Sequence, residues 1–103
     1  MLTTTIAPGP APTIYLAGDM DLDCADSLRE TVHGVAQGAE MVVLDFERVS
    51  FIDSSGTGIF VRLCLDMQGK GIPLAARNLS PAVRGVFEML RVRDLVGEET
   101  FLD

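Results

Sequence analysis

Apolar and polar residues change their spacing several times along this chain, and the changes divide it into short strands and helices. Residues 2–6 and 13–17 alternate weakly, and residues 7–12 between them contain three prolines and one glycine. Because proline and glycine interrupt regular structure, the two segments are predicted to pair as an edge hairpin across a stiff loop.

Helical spacing begins after residue 23. Cys24, Leu28, Val32 and Val35 recur at intervals of three or four residues, and Asp23 is the candidate N-cap of this helix. Residues 41–45 form a short apolar run rich in β-branched residues, which is typical of a strand buried on both faces of a parallel sheet. Function is expected just beyond this strand.

The second half of the chain predicts two more helices and one more strand. A helix is predicted over residues 56–68, with Gly69 ending it, and a short strand over residues 72–76. Ser80 followed by proline predicts the start of a third helix. Its inward-facing residues are predicted to be Val83, Phe87 and Leu90, and Gly85 within it lowers helix stability unless close packing requires glycine.

Strands that alternate with helices over short links indicate βαβ units with right-handed crossovers. The predicted fold class is α/β: a small, mixed, mainly parallel sheet, made of an N-terminal hairpin plus βαβ units and flanked by helices. The chain has 103 residues, 48% of them hydrophobic and 22% charged, so residues 1–103 are expected to form one domain around one core.

Charge narrows the classes of partner. Fifteen acidic and eight basic residues give a net charge of −7, which disfavours direct binding to nucleic acid or to an anionic membrane surface. No apolar run approaches the roughly 18 residues that cross a bilayer. Cys24 and Cys64 are expected to be buried free thiols in a reducing cytosol, so we expect no metal site and a cytoplasmic protein.

Acidic residues before the first predicted helix superficially match a calcium-binding loop. Residues 19–23 include three alternating aspartates, and Glu30 stands at the twelfth place. However, Cys24 occupies the place that requires glycine, and a strand precedes the loop where a helix is needed. The acids are therefore interpreted as loop and capping residues, and Asp21 remains a functional candidate because it ends a strand beside the one leading to Asp53.

Residues 53–58 hold the main candidate motif, at a predicted strand-to-helix turn where anion-binding sites gather. A nucleophilic serine needs a base, but the single histidine, His33, lies in the first predicted helix, and the pattern Gly-x-Ser-x-Gly is absent. A phosphate-binding loop is absent too. A receiver domain with Asp53 as phospho-acceptor is disfavoured because Arg77 stands where a lysine is needed. On these residues alone, an ordinary capped helix N-terminus is the favoured explanation of the motif.

Three motifs, in this order, resemble the STAS domain of anti-sigma factor antagonists. Residues 18–21 resemble the family's Gly-Glu-Leu-Asp element, residues 51–58 follow the strand of residues 42–46, and residues 80–84 precede Phe87. The resemblance extends from about residue 3 to residue 95. Its ordered combination is far more specific than any single motif.

The resemblance implies a partner switch. Ser54 is implied to be phosphorylated by an anti-sigma factor serine kinase of the histidine-kinase-like ATPase fold. The unmodified domain binds this kinase and frees the sigma factor, and a serine/threonine phosphatase restores the hydroxyl. The domain would then have no catalytic residue and no cofactor. The implied switch region consists of Asp21, Asp53, Ser54, Ser55, Gly56, Thr57 and Gly58.

Two features depart from the family pattern. Thr57 stands where many relatives carry leucine or isoleucine, next to the implied phosphorylation site, and is expected to influence which kinase is recognised. The chain ends at Asp103 without evident room for the family's last helix, which is expected to uncover part of the sheet and to favour a homodimer.

Two other functions remain as alternatives. The first is a STAS accessory module of a transporter or stress-signalling scaffold that never acts on a sigma factor. The second, an enzyme or nucleotide-binding domain, is disfavoured by the missing base and the missing phosphate-binding loop.

Overall fold

The computed structural model describes residues 1–102, which form a four-stranded sheet and four α-helices. The elements in chain order are β1 (Leu2–Ala7), β2 (Thr13–Met20), α1 (Ala25–Val35), β3 (Val42–Ile52), α2 (Ser54–Gly69), β4 (Leu74–Arg77), α3 (Pro81–Met89) and α4 (Val92–Val96), with 3₁₀ turns at Leu22–Cys24 and Glu98–Thr100. The strand order is β1-β2-β3-β4. The first pair is antiparallel and the other two are parallel, which confirms the predicted fold class.

The predicted elements are all present, and their bounds shift by a few residues. β3 is longer than the predicted run of residues 41–45, and α2 begins at Ser54 instead of residue 56. The predicted cap of α3 is confirmed, since the Ser80 hydroxyl accepts a hydrogen bond from the backbone N–H of Val83 at 3.3 Å and donates one to the carbonyl of Val49 at 2.7 Å.

The start of the first helix differs from its prediction. Asp23 does not cap α1, because a 3₁₀ turn precedes the helix and moves the free backbone N–H groups toward residue 21. The carboxylate of Asp21 accepts a hydrogen bond from the backbone N–H of Asp23 at 3.1 Å. The capping acid is therefore Asp21, at the end of β2.

The main core lies between the helices and one face of the sheet. Ile14, Leu44 and Ala76 lie side by side on β2, β3 and β4, and all three are fully buried. Aromatic rings fill the space above them: Phe60 stacks on Phe87 with ring centroids 5.1 Å apart, and further rings surround this pair. The helices thus have one fixed surface against which to pack.

The C-terminal residues cover the outer edge of β4. α4 packs against α2, and Phe101 forms a parallel bridge with Ala76. The backbone N–H of Leu102 donates to the Ala76 carbonyl at 2.9 Å. The sheet is therefore covered at this edge, whereas the sequence predicted that part of the sheet would be uncovered.

A buried carboxylate joins three strands on the opposite face of the sheet. Asp45 of β3 lies between Tyr15 and Arg77 and is 5% exposed. It accepts hydrogen bonds from Arg77 Nε at 3.0 Å, from Asn78 Nδ2 at 2.8 Å and from the backbone N–H of Glu47 at 3.0 Å. Arg77 also donates to the Tyr15 hydroxyl at 3.0 Å. Burial raises the pKa of Asp45, but these hydrogen bonds outweigh it and hold the pKa below its ordinary value.

The N-terminus of α2 touches the end of β2 at a glycine. A Cβ at Gly56 would collide with the Met20 carbonyl oxygen and would lie 3.2 Å from Cγ1 of Ile52. The backbone of Gly56 is helical, so glycine is needed here for space and not for its conformational freedom. This contact fixes the helix start against the sheet.

We expect Asp45→Asn to lower the free energy of unfolding at pH 7 by about 1–3 kcal/mol, because three donors lose their charged acceptor. The folded-state pKa lies below the ordinary 3.8, so the stability from this charge is present above that pH and is lost as the pH falls through the lowered pKa. Urea unfolding from pH 7 to pH 3 should show the difference from wild type shrinking below pH 4. The matched control is Asp66→Asn, which removes the carboxylate of an exposed ion pair. The explanation is contradicted if the stability difference between Asp45→Asn and wild type does not change with pH, or if Asp66→Asn lowers the free energy of unfolding equally.

We expect Gly56→Ala to lower the free energy of unfolding by about 1–3 kcal/mol, because the helix start must move away from β2. The matched control is Gly34→Ala in α1, where a Cβ meets no atom within 4 Å and the variant should gain up to about 1 kcal/mol. Urea unfolding measures both. Equal changes in the free energy of unfolding for the two variants would contradict the steric explanation.

Candidate functional site

The predicted site is a rigid helix N-terminus. Asp53 has extended backbone angles, and its Oδ1 accepts a hydrogen bond from the backbone N–H of Gly56 at 2.8 Å. The backbone N–H and the hydroxyl of Thr57 both donate to the Asp53 carbonyl, each at 2.9 Å. Three hydrogen bonds therefore join Asp53 to the first turn, and the motif is a capped helix start as well as a candidate switch.

Ser54 and Ser55 are the first two residues of α2, and both are exposed. Neither hydroxyl makes a hydrogen bond to any of residues 1–102. Thr57 differs from both, because it is 3% exposed and its hydroxyl is engaged by the helix. A visiting enzyme can thus reach the two serines but not Thr57, which lies beside Ser54 without offering its oxygen to solvent.

The two candidate aspartates meet at one edge of the sheet. Met20 and Ile52 pair on parallel strands, so Asp21 and Asp53 follow at the same end. Burial raises the pKa of the Cys24 thiol, and the negative charges of both aspartates act in the same direction. Both carboxylates also accept hydrogen bonds from backbone N–H groups, Asp21 at the 3₁₀ turn and Asp53 at the start of α2. They therefore stabilise these two starts as well as adding negative charge there.

Two shallow grooves run along the exposed side of α2, one on each side. The groove that includes Ser54 is called the Leu90 groove, and the groove that includes Ser55 is called the Leu22 groove. The Leu90 groove is lined mainly by Ser54, Gly58, Val61, Leu65, Leu90 and Leu95. The Leu22 groove is lined mainly by Leu22, Ser55, Gly58, Ile59, Arg62 and Leu63. The neighbouring serines therefore belong to different surfaces.

Leu90 was predicted to face the core with Val83 and Phe87, and this is wrong. Leu90 is 40% exposed and lines the groove beside Ser54, whereas Val83 and Phe87 are buried. Leu90 is the C-cap of α3: its backbone N–H still donates to the Val86 carbonyl at 3.0 Å, and the chain leaves the helix at Arg91, which has a left-handed backbone. The end of α3 therefore carries an exposed apolar side chain.

Sequence reasoning missed most of the apolar residues around the serines. Leu22, Leu65 and Leu95 are all exposed, Leu95 at 57%. Their signal in the sequence is that each falls outside the apolar stripe of its own helix or turn. That signal shows exposure but not that Leu22 and Leu95 lie on either side of α2, which carries Leu65; this follows only from the packing of α4 and the 3₁₀ turn against α2.

One basic residue belongs to both grooves. Arg62 is 79% exposed, and its Nε lies 3.4 Å from Asp66 Oδ1, which is a long and solvent-screened pair. Its guanidinium is therefore available to an incoming group. A cation between two apolar grooves distinguishes this surface in a chain of net charge −7.

No three histidine, cysteine, aspartate or glutamate side chains among residues 1–102 gather in a way that holds a metal ion. Nor does any helix of residues 1–102 combine the length and the apolar character that a membrane span requires.

Comparison with known proteins shows which family this chain resembles. The family model described as Mlab, STAS domain matches residues 4–97. An anti-sigma-B factor antagonist from Bacillus subtilis is 31% identical over 84 residues, which cover 81% of this chain and 76% of that protein.

Solved structures share the fold at lower identity. The unphosphorylated anti-sigma factor antagonist SpoIIAA superimposes with a TM-score of 0.71 at 23% identity, covering 92% of this chain and 84% of that one. A sulfate transporter family protein from Wolinella succinogenes superimposes with a TM-score of 0.77 at 18% identity, covering 94% and 80%. Because the family model spans most of the residues and the antagonist exceeds 30% identity, the chain belongs to the STAS domain family.

Proposed function

We propose that this STAS domain is an anti-sigma factor antagonist that works by partner switching. Its unphosphorylated form binds an anti-sigma factor serine kinase and thereby frees a sigma factor. Phosphorylation of Ser54 by that kinase ends the binding, and a serine/threonine phosphatase restores it. The domain is then a substrate and a binding module, with catalysis supplied by its partners.

The observation that carries the proposal is the placement of Ser54. Its hydroxyl is exposed at the first position of a helix whose start is fixed by the Asp53 cap and by the contact of Gly56 with β2. It also borders an apolar groove of the kind that proteins use for docking. A kinase that covers this groove has the acceptor oxygen inside its interface.

Electrostatics explains why modification would end binding. A phosphoryl group adds about −1.5 to −2 charges and three acceptor oxygens. It would join Asp53 and Asp21 at one edge of a chain that already carries a net charge of −7. An anion enclosed in an interface without basic partners loses its hydration and is costly. A penalty of about 1.4 kcal/mol already weakens binding tenfold.

A transporter module is the second candidate, and the likeness to the sulfate transporter family protein supports it at the level of fold. The sequence relative favours the antagonist, because it reaches 31% identity and is named for that role. Neighbouring genes discriminate between the two: a kinase and a sigma factor fit the first function, and transporter subunits fit the second.

We expect Ser54→Ala to bind the kinase with an affinity within about threefold of wild type and to remain unlabelled after incubation with kinase and ATP. Ser54→Asp should bind at least about tenfold more weakly, because it places a permanent charge in the interface. Calorimetric titration and mass-spectrometric mapping of phosphate measure the two effects.

The matched control is Ser55→Ala, which removes the neighbouring exposed hydroxyl and should leave labelling at Ser54 unchanged. Labelling of Ser54→Ala at residue 55 would transfer the role to that serine. If no anti-sigma factor kinase of the source organism binds the wild-type chain, the proposed function is wrong.

We expect the phosphorylated domain to stay folded, with a Tm within about 4 °C of the unmodified domain, which corresponds to about 1 kcal/mol. Ser54 is exposed, and an anion at the start of α2 interacts favourably with the helix dipole. The SpoIIAA fold has been solved in a phosphorylated form, with a TM-score of 0.66 to this chain. Loss of a cooperative thermal transition after modification would contradict a switch that acts on docking alone.

A further inference from the structure

Gly58 lies where the two grooves beside α2 come together. It lines both the Leu90 groove and the Leu22 groove, and a Cβ built on it meets no atom within 4 Å. The fold therefore has no need of glycine at this position, and a glycine within a helix lowers helix stability relative to alanine. The missing side chain leaves a low saddle on the helix between the two grooves.

We propose that this saddle is the seat for the anti-sigma factor kinase, which lays a segment across α2 at Gly58 and places apolar side chains in both grooves. The inference rests on the proposed function and adds the docking geometry and the chemistry of the partner. Apolar occupants fit because exposed leucines form the outer walls: Leu65, Leu90 and Leu95 on one side and Leu22 on the other.

Charge specifies the partner further. Arg62 is the side chain that borders both grooves one helical turn beyond Gly58, and its pair with Asp66 is long and exposed. A partner carboxylate that faces Arg62 would complement the only guanidinium or ammonium common to both grooves. The docking segment is thus apolar with an acidic residue at one end.

Two neighbouring glycines of the motif have different roles. At Gly56 a Cβ collides with the Met20 carbonyl, so that glycine is needed for folding. At Gly58 a Cβ is free of contacts within the domain and would project into the space that the partner occupies. Substitution at residue 58 should therefore separate binding from stability.

The chain offers a matched control in α3. Gly58 is the fifth residue of α2 counted from Ser54, and Gly85 is the fifth residue of α3 counted from Pro81. A Cβ at Gly85 also meets no atom within 4 Å, and Gly85 lines neither groove. Alanine at either position should raise the Tm by about 2–6 °C through helix propensity.

The experiment compares Gly58→Ala and Gly85→Ala in thermal unfolding and in calorimetric titration with each purified anti-sigma factor kinase of the source organism. Gly58→Ala should bind at least about tenfold more weakly than wild type, and Gly58→Leu more weakly still. Gly85→Ala should bind like wild type. Both alanine variants should be at least as stable as wild type, so weaker binding cannot be attributed to unfolding.

The outcomes separate this inference from the function on which it rests. If wild type binds a kinase and Gly58→Ala binds it within twofold of Gly85→Ala, the docking seat is wrong and the proposed function stands. If Gly58→Ala is destabilised while Gly85→Ala is not, the glycine serves the fold and the seat is again wrong. If wild type binds none of the kinases, the proposed function fails and the seat fails with it.

Discussion

The whole arrangement depends on the contact between Gly56 and the carbonyl end of β2. Only a residue without a side chain lets the first turn of α2 approach the Met20 carbonyl so closely. With the turn held there, the Asp53 cap is formed and the two serines are left on the outer side of the helix. A looser contact would let the helix start move, and the position of the Ser54 hydroxyl would then vary relative to the grooves.

Much of the fold followed from the sequence because the strongest local signals agreed with the tertiary structure. Three signals each act within a few residues: the prolines between β1 and β2, the apolar run that begins β3, and Ser80 before Pro81. The loop, the strand and the helix cap that they predicted are all present. The prediction that Asp23 caps α1 was wrong for a local reason. A 3₁₀ turn and an α-helix both favour acidic residues at their start, so spacing alone did not show whether Asp21 or Asp23 is the cap.

The surroundings of the site could not be predicted in the same way. The Asp45 cluster joins residues from β3, β4 and the turn after it, and its members have no regular spacing in sequence. Leu90 has the correct helical spacing for the core, yet the helix ends one residue before it. The Leu90 groove depends on such an ending, since it forms where the end of α3 and α4 lie beside α2. Periodicity describes the inside of an element well and its ends poorly.

Residues 53–58 divide into residues that stabilise the start of α2 and residues that face solvent. Asp53, Gly56 and Thr57 point toward the sheet or back along the helix, where their hydrogen bonds and close contacts stabilise the turn. Ser54, Ser55 and Gly58 point outward and make no side-chain contact that the turn needs. This division follows from the 3.6-residue period of the helix, which separates neighbours in sequence onto different faces. It explains how a single surface hydroxyl can carry a large change in charge without altering the core. Under the proposed switch, phosphorylation of Ser54 would therefore act on the affinity for the partner and would change the free energy of folding little.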